Sequence, residues 1–156
     1  MRLTFIGQAA SGVTQSDSMA HLKSRRSHLH VRPGRRWPVM AGRALMYEAF
    51  GRQEEHLYEL QLGKWPHDPE GPCYSLDPRL GAGFGGGKPA GDGREITIDS
   101  LGLEGGRAFG YWFDFGDDWW HQINVEAIEE QVPGGKLPRV MKRVGKSPPQ
   151  YAEEDE

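Results

Sequence analysis

The densest group of chemically capable side chains in this sequence lies between Asp114 and His121. The segment Asp114-Phe115-Gly116-Asp117-Asp118-Trp119-Trp120-His121 combines three carboxylates, two indoles and one imidazole around a single glycine. A carboxylate beside an imidazole can orient the ring, raise its pKa or help it to hold a metal ion. This segment is therefore the first candidate for a site with a chemical role.

Four residues offer the ligands of a metal or enzyme site: His56, Asp114, Asp117 and His121. Residue parity places His121 on the same strand face as Trp119, with Asp114 and Asp117 at the adjoining turn. The four lack the paired spacing that zinc motifs show. The alternative is structural, with Asp117 capping the turn through its own backbone and His121 making a structural hydrogen bond. No catalytic residue and no cofactor are predicted.

The aromatic residues around this turn offer a binding surface. Trp119 and Trp120 are adjacent, so in a strand they point to opposite faces and one of them points away from the main core. Tryptophan beside acids suits a protein or peptide partner better than nucleic acid, because the acids repel phosphates. The predicted binding residues are Trp119, Trp120 and Tyr151. A non-enzymatic binding or protein-interaction module is the leading functional hypothesis.

The charges of the 156-residue chain are divided unevenly around a net charge of -3. Residues 1–47 hold eight Lys/Arg and one acid, Asp17, whereas the rest of the chain is acidic. A basic arm ahead of an acidic domain can bind nucleic acid or contact its own acidic domain, and both interpretations stay open. The candidate nucleic-acid contacts are Lys23, Arg25, Arg26, Arg32, Arg35 and Arg36.

Composition limits the class of protein further. Cys73 is the sole cysteine, so no internal disulfide can form and a cytoplasmic location is expected. No apolar run approaches the length of a membrane span, so no membrane partner is predicted. Residues 81–91 are rich in glycine but lack the flanking strand and helix of a phosphate-binding loop, which favours a flexible linker. The sequence does not indicate an oligomeric state.

Hydrophobic spacing predicts the elements that position these residues. Val39–Phe50 carries an apolar stripe at helical spacing and is followed by Gly51, which predicts a helix. Alternating or aromatic-rich runs predict strands at 56–62, 94–99, 109–115, 119–125 and 139–144. Gly116-Asp117-Asp118 joins two of these strands in a hairpin. The loop from 63 to about 93 is long enough to be functional or mobile.

The predicted fold is α+β, with a single antiparallel or mixed sheet of four or five strands and the helix packed on one face. Residues 1–37 are predicted to form a basic, largely disordered arm that contains at most a short strand at Leu3–Ile6. Residues 38–151 would form the α+β domain, and residues 152–156 an acidic tail.

Several motifs together resemble the plasmid Ri open-reading-frame-three-like family. The central motif is Phe113-Asp114-Phe115-Gly116-Asp117-Asp118-Trp119-Trp120-His121, and order and spacing agree from about Val39 to Tyr151. The supporting matches are His56-Leu57-Tyr58, Ile98-Asp99-Ser100-Leu101-Gly102-Leu103, Leu137-Pro138-Arg139-Val140 and Ser147-Pro148-Pro149-Gln150-Tyr151. The resemblance implies a small α+β domain of bacteria and archaea, often encoded near mobile elements. Some members carry a transposon-resolvase label, which this sequence does not support, because it offers no nucleophile set among several arginines.

Overall fold

Most of the described chain belongs to one β-sheet. In a computed structural model, the residues described are 2–9, 25–30, 47, 49–51, 56–77, 79, 88–117, 119–128 and 139–145. The strands are β1 (Arg2–Ala9), β2 (Arg25–His30), β3 (Tyr58–Gln61), β4 (Pro72–Ser75), β5 (Lys88–Asp92), β6 (Ala108–Phe113), β7 (Trp119–Ala127) and β8 (Arg139–Val144). A short 3₁₀ helix at Ile98–Leu101 lies between β5 and β6 in the sequence.

The eight strands lie in the order β5-β4-β3-β6-β7-β1-β2-β8. Neighbouring strands are antiparallel, except for β4 and β5, which are parallel. The predicted hairpin is formed by β6 and β7, in which Phe113 pairs with Trp119. The first strand lies inside the sheet, because Leu3 pairs with Val125 on one side and with Leu29 on the other.

The hydrophobic core lies against one face of the sheet. Alternate residues of β3, β6 and β7 point to this face, as the period of a strand requires. The hydrophobic core residues of these strands are Tyr58, Leu60, Phe109, Tyr111, Phe113, Trp119, Ile123 and Val125, and Ala49, Phe50, Leu62, Ile98 and Leu103 complete the cluster. Burial of each large side chain stabilises the fold by roughly 1.5–3 kcal/mol before conformational entropy is subtracted.

The prediction of an α+β fold with a packed helix and four or five strands is wrong. The described chain is mostly strand, its sheet has eight strands, and it contains no helix of seven residues or more. Of the predicted helix Val39–Phe50, only Tyr47, Ala49 and Phe50 are described, and they are helical. Gly51 follows them with a φ of 72° and donates a backbone hydrogen bond to the Tyr47 carbonyl (2.7 Å). Apolar periodicity missed strands that are held in place by pairing with their neighbours.

The prediction of a largely disordered arm is also wrong where the arm is described. β1 pairs with β7 along its length, and β2 lies between β1 and β8. The sequence of β2, Arg25-Arg26-Ser27-His28-Leu29-His30, has no apolar alternation, so its order comes from backbone hydrogen bonds on both sides. The rest of residues 1–37 lies outside the described residues, and the domain boundaries after 37 and 151 stay predictions.

Two further differences affect the region between β3 and β6. The predicted loop from 63 to 93 contains β4 and β5, which extend the sheet beyond β3. The predicted strand at 94–99 is instead a turn that leads into the 3₁₀ helix. Thr97 caps this helix, because its hydroxyl oxygen accepts a hydrogen bond from the Ser100 N–H (3.3 Å) while Ser100 Oγ accepts one from the Thr97 N–H (3.1 Å).

None of the helices within the described ranges is long and apolar enough to cross a membrane. The cytoplasmic location stays a prediction.

Candidate functional site

The structure brings two of the four predicted metal or enzyme residues together. Asp114 follows β6 directly, and its backbone N–H donates a hydrogen bond to the Leu57 carbonyl (3.0 Å). This bond joins the hairpin turn to the segment that precedes β3, so Nε2 of His56 lies 3.4 Å from Oδ2 of Asp114. Asp114 adopts a φ of 54°, and its carbonyl accepts a hydrogen bond from the Asp117 N–H (3.1 Å). The turn geometry thus depends on Asp114 more than on Asp117.

His121 lies apart from this pair, inside the hydrophobic core. Its side chain is fully buried, and Nδ1 lies 3.3 Å from the Tyr111 carbonyl oxygen on the paired strand. The imidazole packs against the ring of Phe50, with centroids 4.8 Å apart. Within the described part of the chain, which includes all four candidates, no three His, Cys, Asp or Glu residues are placed to hold a metal ion.

The two adjacent tryptophans point to opposite faces, as their parity predicts. Trp119 is buried in the core, whereas Trp120 is half-buried on the other face. Trp120 stacks on Trp112 of the paired strand, with centroids 4.7 Å apart and planes 4° from parallel. Phe115 stacks on Trp112 in turn, at 4.1 Å. The predicted binding residue Tyr151 lies outside the described residues.

The candidate nucleic-acid residues are only partly described. Arg25 and Arg26 belong to β2, where they pair with Gly7 and Ile6 of β1. The other four candidates, Lys23, Arg32, Arg35 and Arg36, lie outside the described residues. Nucleic-acid binding through the arm stays a prediction.

A buried polar row on the second face of the sheet was not predicted from the sequence. Glu59 and Gln61 of β3 point away from the core, yet both are buried. Gln61 Nε2 donates a hydrogen bond to Glu59 Oε1 (2.8 Å), and Gln61 Oε1 lies 3.1 Å from Nδ1 of His67. His67 meets Trp120 edge-on, with centroids 4.5 Å apart. The row therefore connects β3 to the aromatic stack through one loop histidine.

Burial shifts the pKa values of the ionisable groups of this row towards their neutral forms. Desolvation raises the pKa of Glu59, which the hydrogen bonds from Gln61 and Cys73 partly offset. Desolvation lowers the pKa of His67 to about 4. Burial and the neighbouring Glu59 raise the pKa of the Cys73 thiol to about 12, so it is a poor nucleophile at neutral pH. This environment suits packing and hydrogen bonding better than acid–base catalysis.

The loop between β3 and β4 covers this second face. At its base, the Leu62 N–H donates to the Pro72 carbonyl (2.9 Å). Inside the loop, the buried carboxylate of Asp68 accepts hydrogen bonds from the backbone N–H groups of Lys64 (2.9 Å) and Glu70 (3.0 Å). These bonds lower the pKa of Asp68. The loop is thus an ordered turn, which the bond between Leu62 and Pro72 closes at its base and the bonds to Asp68 hold in place.

Glycines allow the loop to close this tightly. A side chain on Gly63 would overlap that of Asp68, and a side chain on Gly71 would overlap the backbone of Gly63. On β6, a Cβ on Gly110 would lie 2.5 Å from Nδ1 of His67. The glycines and Asp68 were the sequence features that could have indicated this closed loop. The sequence could not show which strand His67 would contact.

An open groove of about 1000 Å³ runs along the outer side of this loop, and it is called the Trp65 groove below. Its lining residues are 62–66, 68–72 and 106–108. Trp65 is 55% exposed, the largest exposed fraction among the large hydrophobic residues of the described ranges. Arg107 also lines the groove, and its guanidinium donates a hydrogen bond to the Leu62 carbonyl (3.1 Å). The groove can hold a ligand between an aromatic side chain and a fixed cation.

Comparison with known proteins gives a family and a fold. The sequence model described as plasmid pRiA4b ORF-3-like protein matches residues 43–153. A crystal structure of a protein of unknown function from Methanosarcina mazei Go1 is similar, with a TM-score of 0.57 and 13% sequence identity. The similarity covers 96% of this chain and 72% of that one, so the two proteins share a fold. No curated protein matches the chain.

Proposed function

We propose that this chain, which belongs to the plasmid pRiA4b ORF-3-like family, binds an extended peptide segment of a partner protein in the Trp65 groove. The similar solved structure is that of a protein of unknown function, so this role is argued from the site alone. The proposal keeps the hypothesis of a non-enzymatic interaction module. It moves the principal contact from the hairpin turn to the loop between β3 and β4.

The observation that carries the proposal is an exposed tryptophan on an ordered loop. Leaving an indole in water forgoes roughly 1.5–3 kcal/mol of burial, so a large exposed aromatic side chain beside a groove is typical of a binding site. Trp65 is the most exposed large hydrophobic residue of the described chain, and it lines the groove directly. Binding would cover it.

The lining favours a peptide over other ligands. Pro66, Pro69 and Pro72 join Trp65 in an apolar surface that suits an extended or polyproline-type segment. The volume lies at the upper end of small-molecule pockets and the groove is open, which suits a chain that passes through it. The lining carries two carboxylates, Asp68 and Glu70, beside two cations, Lys64 and Arg107, so it lacks the excess of positive charge that binds phosphates.

The ordered loop also lowers the entropic cost of binding. The hydrogen bonds to Asp68 and the contact of Arg107 with Leu62 hold the groove walls before a ligand arrives. A pre-formed site avoids the ordering cost of roughly 0.5–1.5 kcal/mol for each side chain that binding would otherwise immobilise.

Phage display of random and proline-rich peptides against the full chain tests the proposal. We expect enriched peptides to bind the wild-type protein and to lose about tenfold or more in affinity on Trp65→Ala, the loss typical of a hot-spot aromatic residue. Ile128→Ala is the matched control, because Ile128 is 49% exposed but lies outside the groove.

Two results would overturn the proposal. One is a selection that enriches no peptide. The other is a set of enriched peptides whose affinity is equal for wild type, Trp65→Ala and Ile128→Ala, since the groove would then play no part in binding.

A further inference from the structure

Strand β8 is the last strand of the described sheet, and its residues 141–144 are exposed, whereas Val140 packs against the core. Met141 is 48% and Val144 46% exposed, and Met141 lies at an irregularity in the pairing of β8 with β2. Lys142 and Arg143 between them are exposed as well. On its inner side β8 pairs with β2 from Arg139 to Val144. An edge strand of this kind offers its outer backbone groups to another strand.

The end of the sheet that contains β8 is strongly basic. The three adjacent strands β1, β2 and β8 contain no aspartate or glutamate. Their basic residues are Arg2, Arg25, Arg26, Arg139, Lys142 and Arg143. This concentration contrasts with the net charge of -3 of the whole chain. Charge at this edge therefore selects an acidic partner.

We infer that β8 binds an extended acidic segment of a partner protein, which adds to the sheet as a further strand. Main-chain hydrogen bonds along the edge would supply affinity, and carboxylates opposite Lys142 and Arg143 would supply selectivity. Apolar residues of the same segment would cover Met141 and Val144. Pairing with the β8 strand of a second copy is disfavoured, because it brings basic side chains opposite one another.

A peptide strand uses more of these features than nucleic acid does. Neither β2 nor β8 contains Phe, Tyr or Trp, so this edge lacks the rings on which unpaired bases stack. A phosphate backbone would contact the cations but leave Met141 and Val144 exposed to water. The edge thus offers backbone, apolar and basic groups together on one strand.

This surface is separate from the Trp65 groove. Four strand spacings separate β8 from β6, whose first residue Ala108 lines the groove, which corresponds to about 19 Å. A ligand of one surface does not cover the other. Loss of binding at β8 and loss of binding at Trp65 are therefore distinguishable.

The test uses the full chain and three synthetic probes. The first is a short peptide that repeats Val-Glu-Glu-Val, which places carboxylates opposite both Lys142 and Arg143. The second has the same charge but prolines in place of the valines that donate to the edge, and the third is a short duplex DNA. Titration is followed by NMR through the Met141 methyl and the β8 amides, with fluorescence anisotropy for affinity.

We expect the Glu/Val peptide to shift the β8 signals and to bind more tightly than the proline peptide, because proline cannot donate the edge hydrogen bonds. The double variant Lys142→Gln/Arg143→Gln should bind the Glu/Val peptide about fivefold or more weakly than the wild type does. The control Arg79→Gln/Arg94→Gln removes two exposed cations from outside the basic strands. It should change the affinity for this peptide less than twofold, because these cations do not face the edge.

Three outcomes would overturn the inference. The first is equal affinity for the proline peptide, which would mean attraction by charge alone. The second is DNA binding that is tighter than peptide binding and equally sensitive to the double variant. The third is the absence of any shift at Met141 and the β8 amides.

Discussion

Glu59 and His67 are buried in one polar row with pKa shifts of opposite direction. Burial raises the pKa of the carboxyl and lowers that of the imidazole, so the folded protein favours the neutral form of both. Gln61 lies between them and contacts both side chains, at 2.8 and 3.1 Å. An amide suits this position, since it donates to one neighbour and accepts from the other without carrying charge.

Because the pKa of Glu59 is raised, its ionised carboxylate destabilises the folded protein at alkaline pH. The contribution of the carboxyl is present below the ordinary pKa of 4.5 and is lost as pH rises through the raised value. We expect Glu59→Gln to increase the free energy of unfolding by about 1 kcal/mol at about pH 8, with no gain at about pH 4.5. Urea denaturation at the two pH values measures it.

Glu70→Gln is the control for this substitution, because Glu70 is exposed and should show no gain at either pH. A Glu59→Gln variant as stable as wild type at alkaline pH, or less stable there, would contradict the expectation.

The lowered pKa of His67 predicts acid sensitivity. An exposed histidine titrates at about 6.5, so the unfolded chain takes up this proton before the folded chain does. Stability should fall as pH drops from about 6.5 towards 4, by about 2 kcal/mol at about pH 5. In His67→Gln, which keeps a polar group beside Gln61, this fall should be smaller by that amount. Parallel stability profiles of variant and wild type would refute the assignment.

At the scale of elements, the loop between β3 and β4 determines whether the second face is buried. The loop can close only because Gly110 of β6 has no side chain, since a Cβ there would lie 2.8 Å from the backbone N of His67. The loop must therefore move if any side chain is introduced there. The polar row and the Trp65 groove share this dependence, since one loop forms a wall of both.

We expect Gly110→Ala to destabilise the protein by about 2 kcal/mol, within the range of overpacking substitutions. It should also release the loop, which would be detected as faster amide exchange at residues 63–71. Gly105→Ala is the matched control, because a Cβ there meets no atom closer than 3.9 Å and φ is not positive. Equal stability of the two variants would mean that the loop is not packed on Gly110.

The sequence predicted the elements whose residues carry their own signal. The aromatic runs of β6 and β7 and the boundaries of β8 agree with the structure, as does the outward orientation of Trp120. β2 and β5 have no apolar alternation, so their pairing depends on distant strands. Burial of Glu59 likewise depends on a loop that folds back over it. Local patterns could not reveal either.

At the scale of the whole molecule, β1 connects the two parts of the sheet. In the hydrogen-bonded order of the described sheet, β2 and β8 are joined to the other five strands through β1, which pairs with β7 on its far side. Val140 of β8 also packs against the core. This arrangement makes the basic end of the sheet dependent on the first strand. It also explains why residues of the predicted arm belong to the folded unit.

Deletion of residues 1–9 should therefore separate β2 and β8 from the rest. We expect the amides of Arg139–Val144 to lose protection from hydrogen exchange, while those of Tyr58–Gln61 stay protected by β4 and β6. Replacing Lys64 and Glu70 by alanine is a suitable control, since both are exposed and lie in no strand. Retained protection of β8 in the deletion variant would show that another part of the chain holds this strand.

The central position of β1 also constrains the order of events during synthesis. Leu3 is made 122 residues before its partner Val125. Until then β1 can pair with β2 alone, and an isolated two-stranded hairpin is marginally stable in water. Nascent chains would thus expose a basic hairpin for much of translation, and completion of the sheet must wait for a slow, long-range pairing.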